Sequence, residues 1–292
     1  MAPRHILLAL AVVAIWGLNF VVIHVGLASV PPILFATIRF TVILPMLLVV
    51  KRPAVPWSQL AAVGLLMSAG QFGLLYTAMG VGLPAGLASL VLQAQVLFTV
   101  GLAMVALRER PRTLQLVGVG VGVLGLSIVA IGRQAATPLL GLLLALAAAF
   151  SWAAGNIAAR RIKGASGLGV TVWGSLFVPL PLFVLSLLLE GPAAIGTAVT
   201  HFPLSAGLST LYTAALSTLF CYAVWNMLLA RYPAAEVAPF TLLVPVIGIV
   251  AAGVLLGERP NAAEAIGGVV LLAGVGIAVL PWRRLLTRRP TS

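Results

Sequence analysis

The chain has 292 residues, of which 62% are hydrophobic and only 8% charged, and its mean hydropathy is +1.18. So few charges cannot cover the surface of a soluble protein of this length, so lipid is the solvent for most of it. The formal net charge of +12 would suit nucleic acid, but the basic residues sit in short clusters between apolar runs, where membrane loops carry Lys and Arg against anionic lipid.

A bilayer core takes about twenty apolar residues of helix. Ten intervals meet that length: 6–27, 33–50, 57–80, 84–107, 113–132, 138–159, 168–189, 204–229, 233–256 and 262–282. The first follows a basic residue, as the core of a secretory signal would. Its apolar run continues to Leu27, too long for a cleaved segment, so it reads as a spanning helix. Pro31-Pro32, Lys51-Arg52-Pro53, two Glu-Arg-Pro turns and the stretch from Gly164 to Gly169 separate the intervals. Pro84, Pro111, Pro138, Pro203, Pro233 and Pro260 stand where helices begin, the position at which a missing N–H costs nothing. The connection 190–203 is the longest outside the membrane, and no soluble domain fits.

With the N-terminus inside, fourteen basic residues fall in cytoplasmic segments and only Arg133 and Arg259 outside. That imbalance places both termini in the cytoplasm. Arg39 is the one basic residue within a span.

The chain also repeats itself. Residues 84–111 and 233–260 both begin Pro-Ala and close on Glu-Arg-Pro, at a constant offset of 149 that carries Gly118 and Gly125 onto Gly267 and Gly274. The expected fold is therefore an all-α integral membrane protein of two five-helix repeats, 1–135 and 136–292, in one membrane domain. Five is odd, so the second repeat enters from the opposite side. Inverted repeats are an architecture of alternating-access transporters, with the site near the midplane between them.

Spans five and ten are plain and glycine-rich, including Gly118-x-x-x-Gly122, and are read as packing helices. Polar and aromatic residues gather elsewhere: Trp16, Asn19 and His24 in span one, Tyr76 in span three, Gln93 and Gln95 in span four, Trp152 and Asn156 in span six, and Tyr222, Trp225 and Asn226 in span eight. Amides in lipid need a partner or water, so these helices are expected to surround a cavity. Trp16 and Asn19 are echoed by Trp152 and Asn156, and Tyr76-Thr77 falls on Trp225-Asn226. Trp16, Tyr76, Trp152 and Trp225 are expected to converge there. Gln93 and Gln95 point to different faces, so at most one should meet substrate. Pro239 and Pro245 lie inside span nine, where they can bend it and free carbonyls. Arg39 is within reach of snorkelling to the outer face; carboxylate binding is the sharper reading and pairing with backbone carbonyls the plainer one. Glu109 and Glu258 are explained by loop salt bridges.

The run Ala14-Ile15-Trp16-Gly17-Leu18-Asn19-Phe20, the Trp152-x-x-x-Asn156 opening of the second half and the twice-used Glu-Arg-Pro turn resemble the EamA-type transporters of the drug/metabolite transporter superfamily. The resemblance covers the whole chain. It implies ten helices, with one, three, four, six, eight and nine around a central cavity and five and ten at the periphery, and it implies export of amino acids or other metabolites across a bacterial inner membrane. Within the family, an aromatic-rich cavity looks most like that of amino-acid exporters.

No enzyme is expected. Gly164-Ala165-Ser166-Gly167 imitates an intramembrane serine-protease motif but lies in a basic loop with no His placed to activate the serine. Neither a metal cluster, nor a phosphate loop, nor any cofactor is indicated. The expected partners are a small-molecule substrate and membrane lipid, with a monomer as one option for assembly. Exporters of cationic drugs or of sugar- and nucleotide-type metabolites, and a non-transporting scaffold, are the alternatives. The chain has no Asp, and its five Glu fall at or beyond helix ends. Only His24 and Glu236 remain as coupling candidates, so facilitated movement without an obligatory ion is expected.

Overall fold

The computed structural model describes residues 1–132, 137–232 and 234–279, and all regular structure among them is helical. Arg133, Pro233, the 135/136 boundary, Trp282 and the arginines beyond it lie outside the described residues, as does the side chain of Pro239.

Helices α1 (Pro3–Leu27), α2 (Pro32–Ile43, with a 3-10 tail Leu44–Leu48) and α3 (Trp57–Gly80) open the chain. They are followed by α4 (Ala85–Ala106), α5 (Thr113–Gly132) and α6 (Leu139–Arg160). Helix α7 is a pair, Gly167–Phe177 and Pro179–Leu189, bent by 41°. A short α8 (Pro192–Thr200) occupies the connection that the sequence leaves as a loop. Helix α9 runs through Leu204–Leu211, Tyr212–Phe220 and Cys221–Arg231. Helix α10 runs through Ala234–Val237, Ala238–Leu242 and Leu243–Leu256, and α11 is Ala262–Val279. Among the described residues seven of these are long and apolar enough to cross a membrane, or eight with the bent pair taken as one, and Pro32–Leu48 and Phe240–Leu256 are shorter apolar helices.

Helix starts are made in three ways. Proline stands at the first turn of α1 and α2, where no N–H is needed. The remaining free N–H groups of α2 are met by a distant acid: Glu190 accepts from Ile33 N at 2.7 Å and Leu34 N at 3.0 Å, and Ser186 Oγ donates to it. Glu258 does the same for α4, accepting from Ala85 N at 2.7 Å and Gly86 N at 2.9 Å. A carboxylate there satisfies orphan donors and meets the positive end of the helix dipole. Glu258 is thus a helix cap and not the loop salt bridge expected of it, because its turn folds back over the start of α4. Glu109 does form an ion pair, with Arg160 at 2.8 Å. Asn261 and Glu264 exchange backbone and side-chain bonds in a capping box at the start of α11.

Several irregularities recur at the 149-residue offset. Helix α3 is wound as a π-helix over Gly64–Gly70, and α9 over Tyr212–Phe220. Helix α4 is interrupted at Leu92-Gln93, and α10 is 3-10 over Ala238–Leu242. The two interruptions touch, since Gln93 Nε2 donates to the carbonyl of Thr241 at 3.3 Å.

Helices α5 and α11 lie antiparallel with their backbones in contact. A Cβ on Gly118 would stand 2.6 Å from Gly274 O, and one on Gly125 2.7 Å from Gly267 O. The reverse also holds: on Gly267 it would meet Gly125 O at 2.8 Å, and on Gly274 it would meet Gly118 O at 2.7 Å. No side chain larger than hydrogen fits at these four positions without moving the helices apart.

Candidate substrate site

A π segment bonds i to i+5 and is wound more loosely than an α-helix, and its carbonyls can take a further donor from another helix. Both π segments are used this way. Trp16 Nε1, from α1, donates to Ser217 O in α9 at 3.0 Å, and Ser151 Oγ, from α6, donates to Leu66 O in α3 at 2.7 Å. Helix α1 thus reaches the π segment of α9, and α6 that of α3. Tyr212 Oη returns a bond to Ile15 O at 2.9 Å.

Around Trp16 an aromatic group assembles. Its ring centroid is 5.3 Å from that of Trp225 and 6.0 Å from that of Tyr222. All three are half-buried, and so is every residue from 222 to 227. Asn19, three residues on from Trp16 and on the same side of α1, is buried, and its Oδ1 has no partner. Asn226 is half-buried beside the start of α7 at Gly167, and its Nδ2 has none.

Arg39 lies beside this group and does not snorkel. It is 1% exposed. Its Nη1 donates to Tyr76 Oη at 2.7 Å and its Nη2 to Thr218 Oγ1 at 2.8 Å, and the guanidinium lies 3.9 Å over the ring of Phe72. Hydroxyls and a ring take the place of the carbonyls expected for it, because the α2 backbone around it is already bonded as helix. Thr218 follows Ser217, so Trp16 and Arg39 bond consecutive residues of the α9 π segment. Thr218 in turn donates to Thr213 O. Tyr76 is fully buried and stacks on Phe35.

The other candidates form a separate group. Asn156 Nδ2 donates to Gln95 Oε1 at 3.1 Å and to Thr99 Oγ1 at 3.4 Å, joining α6 to α4. Gln93 and Gln95 do face different neighbours, and each bonds another helix. Trp152 is half-buried against the main apolar core. Of the four rings expected to converge, Trp16 and Trp225 touch, while Tyr76 belongs to the Arg39 group. A groove of about 520 Å³ opens between α3, α4 and α6, lined by Leu66, Leu74, Phe98 and Phe150 among others, and none of the candidate residues lines it. His24 is exposed in the last turn of α1. Glu236 is exposed and accepts from the N-terminal amine at 3.3 Å. Pro245 is buried in α10.

Phe72, Ser217 and Thr218 were not legible as site residues. Phe72 lies one helical turn before Tyr76, and that i, i+4 aromatic pair beside a lone intramembrane arginine was the available signal. Among the described residues no group of His, Cys, Asp or Glu could hold a metal ion.

Apolar helices of membrane-spanning length, interrupted and loosely wound at matching places with amides, rings and an arginine between them, define a multi-pass membrane transporter. The EamA-like transporter family matches the chain twice, over residues 3–131 and 139–280, and the chain belongs to that family. It is a transporter and not an enzyme. A Salmonella typhimurium protein described as a probable amino-acid metabolite efflux pump is 42% identical, over 99% of each chain. An Escherichia coli K12 protein of the same description is 40% identical over 97% of this chain and 98% of its own. A probable terminal-alkyne amino-acid exporter of Streptantibioticus cattleyicolor is 31% identical over 72% of this chain and 68% of its own. One solved crystal structure superposes with a TM-score of 0.58 at 20% identity, over 99% of this chain and all of that one, a likeness of fold.

Proposed function

We propose that the protein exports amino acids or amino-acid metabolites, aromatic and apolar ones included, across a bacterial inner membrane. It works by alternating access between two inverted five-helix halves, with both termini in the cytoplasm. The observation that carries the substrate class is the 42% and 40% identity, over nearly complete lengths, to proteins described as probable amino-acid metabolite efflux pumps.

Three features support the inverted arrangement. The family matches each half separately. At the α5–α11 seam Gly118 meets Gly274 and Gly125 meets Gly267, so each glycine contacts the repeat equivalent of the other, antiparallel and reciprocally, as a two-fold relation between the helices requires. The π segments and helix interruptions recur at one offset, and interrupted helices are where transporters of this architecture build their sites. Trp16, Asn19, Tyr222, Trp225 and Asn226 line the site on this reading, with Gln95, Asn156 and Trp152 on the facing helices. Rings would cover an apolar side chain, and the unpaired amides would meet its polar end.

Purified protein in liposomes, assayed with labelled amino acids beside a cationic drug and a nucleotide sugar, tests the class. Saturable flux confined to amino acids is expected. Flux of another class alone would move the protein to that substrate, and no flux with any would favour a scaffold.

A further inference from the structure

We infer that Arg39 is the carboxylate anchor of the transported amino acid, a role that rests on the amino-acid reading above. Removing a guanidinium from water without an anion costs several kcal/mol, so a buried arginine normally faces Asp or Glu. No carboxylate contacts Arg39 among the described residues, and the chain's five Glu are engaged elsewhere. Glu109 holds Arg160, Glu190 caps α2, Glu236 holds the N-terminal amine, Glu258 caps α4 and Glu264 closes the start of α11. There is no Asp. Neutral hydroxyls and the face of Phe72 offset part of the cost and leave the charge uncancelled.

The guanidinium is also incompletely bonded. Two of its donors are engaged, and Nε is buried with no acceptor. An Nε–H and the adjoining Nη–H form the parallel pair that a carboxylate accepts from in bidentate fashion. The guanidinium is linked through the consecutive residues Thr218 and Ser217 to Trp16, whose ring lies against those of Tyr222 and Trp225. On the Trp16 side of α1 the unpaired Asn19 Oδ1 can accept from an ammonium. A cation with free donors, an apolar aromatic wall and a free acceptor together match an apolar α-amino acid in its zwitterionic form. Arg39 has no basic counterpart at the 149 offset, where Leu188 stands, so the anchor is single.

The test uses full-length protein in liposomes with labelled phenylalanine, competed by unlabelled phenylalanine, phenylalaninamide and phenethylamine. In the wild type the two analogues without a carboxylate should compete at least about tenfold less well. Arg39→Gln should raise KM roughly ten- to a hundredfold, the range of a lost charge-assisted hydrogen bond, and should abolish the preference for the free acid. Arg39→Lys, which keeps the charge and loses the fork, should fall between. A folded Arg39→Gln protein with unchanged KM or unchanged preference would overturn the inference. So would wild-type protein on which the amide competes as well as the acid, a comparison that stands even where Arg39→Gln does not fold. Phenylalanine flux without an Arg39 effect sinks this inference alone, whereas absent flux of every amino acid sinks the export reading first.

Discussion

At the scale of single residues, the proposed site is built from side chains that bond backbone wound as π-helix. The Trp16 indole is held by Ser217 O and by two neighbouring rings, so its orientation is fixed from α9 although it belongs to α1. Removing the ring and removing the bond are separable. Trp16→Phe keeps an aromatic face and leaves one carbonyl without its donor, a loss of about 1 kcal/mol. It should lower thermal stability slightly and leave the KM for phenylalanine within about threefold. Trp16→Ala removes the face as well and should weaken substrate binding about tenfold beyond any loss of folded protein. Flux normalised to protein in the membrane, with a melting curve for each variant, separates the two effects. Equal normalised flux in Trp16→Ala and wild type would take Trp16 out of the site. Trp16, Tyr222 and Trp225 were legible because rings stand out in an aliphatic chain. The partners of Arg39 were not, since Thr218 lies 179 residues away in sequence and only packing of α2 on α9 brings it close.

At the scale of elements, the α5–α11 seam separates two meanings of glycine. Gly118 and Gly125 face carbonyls and backbone atoms of the opposite helix, so a methyl group at either position must push the helices apart. Gly120, on the same helix, has open space where its Cβ would be. Gly125→Ala should therefore cost about 1–3 kcal/mol through overpacking, and Gly120→Ala should be neutral or slightly stabilising. Melting temperatures in detergent would show it, and equal effects of the two would contradict the seam. The seven helices long and apolar enough to cross a membrane were legible from apolar runs bounded by proline and charge. The π segments were not, because Gly64–Gly70 and Tyr212–Phe220 carry residues that an α-helix accepts as readily. Nor were the acid caps, which join Glu190 to α2 across 157 residues and Glu258 to α4 across 173.

At the scale of the whole molecule, α1 bonds α9, α6 bonds α3, and the interrupted α4 and α10 meet, contacts that join the two proposed halves. On the inverted arrangement proposed above, a central site bounded in this way would open to either side by rocking one half on the other. Glu109 and Glu258 hold equivalent places in the repeat and have different partners, one an exposed arginine and the other the start of α4. Among the described residues no carboxylate stands beside Arg39 to take up a proton in exchange for substrate, which suits the facilitated movement expected from the sequence. The direct measurement is exchange in liposomes with no imposed proton or sodium gradient. Labelled phenylalanine should equilibrate across the membrane, and liposomes preloaded with unlabelled phenylalanine should take it up faster, since a carrier returns more readily with cargo. Accumulation above equilibrium under a proton gradient alone, or uptake indifferent to preloading, would contradict a facilitated, alternating carrier.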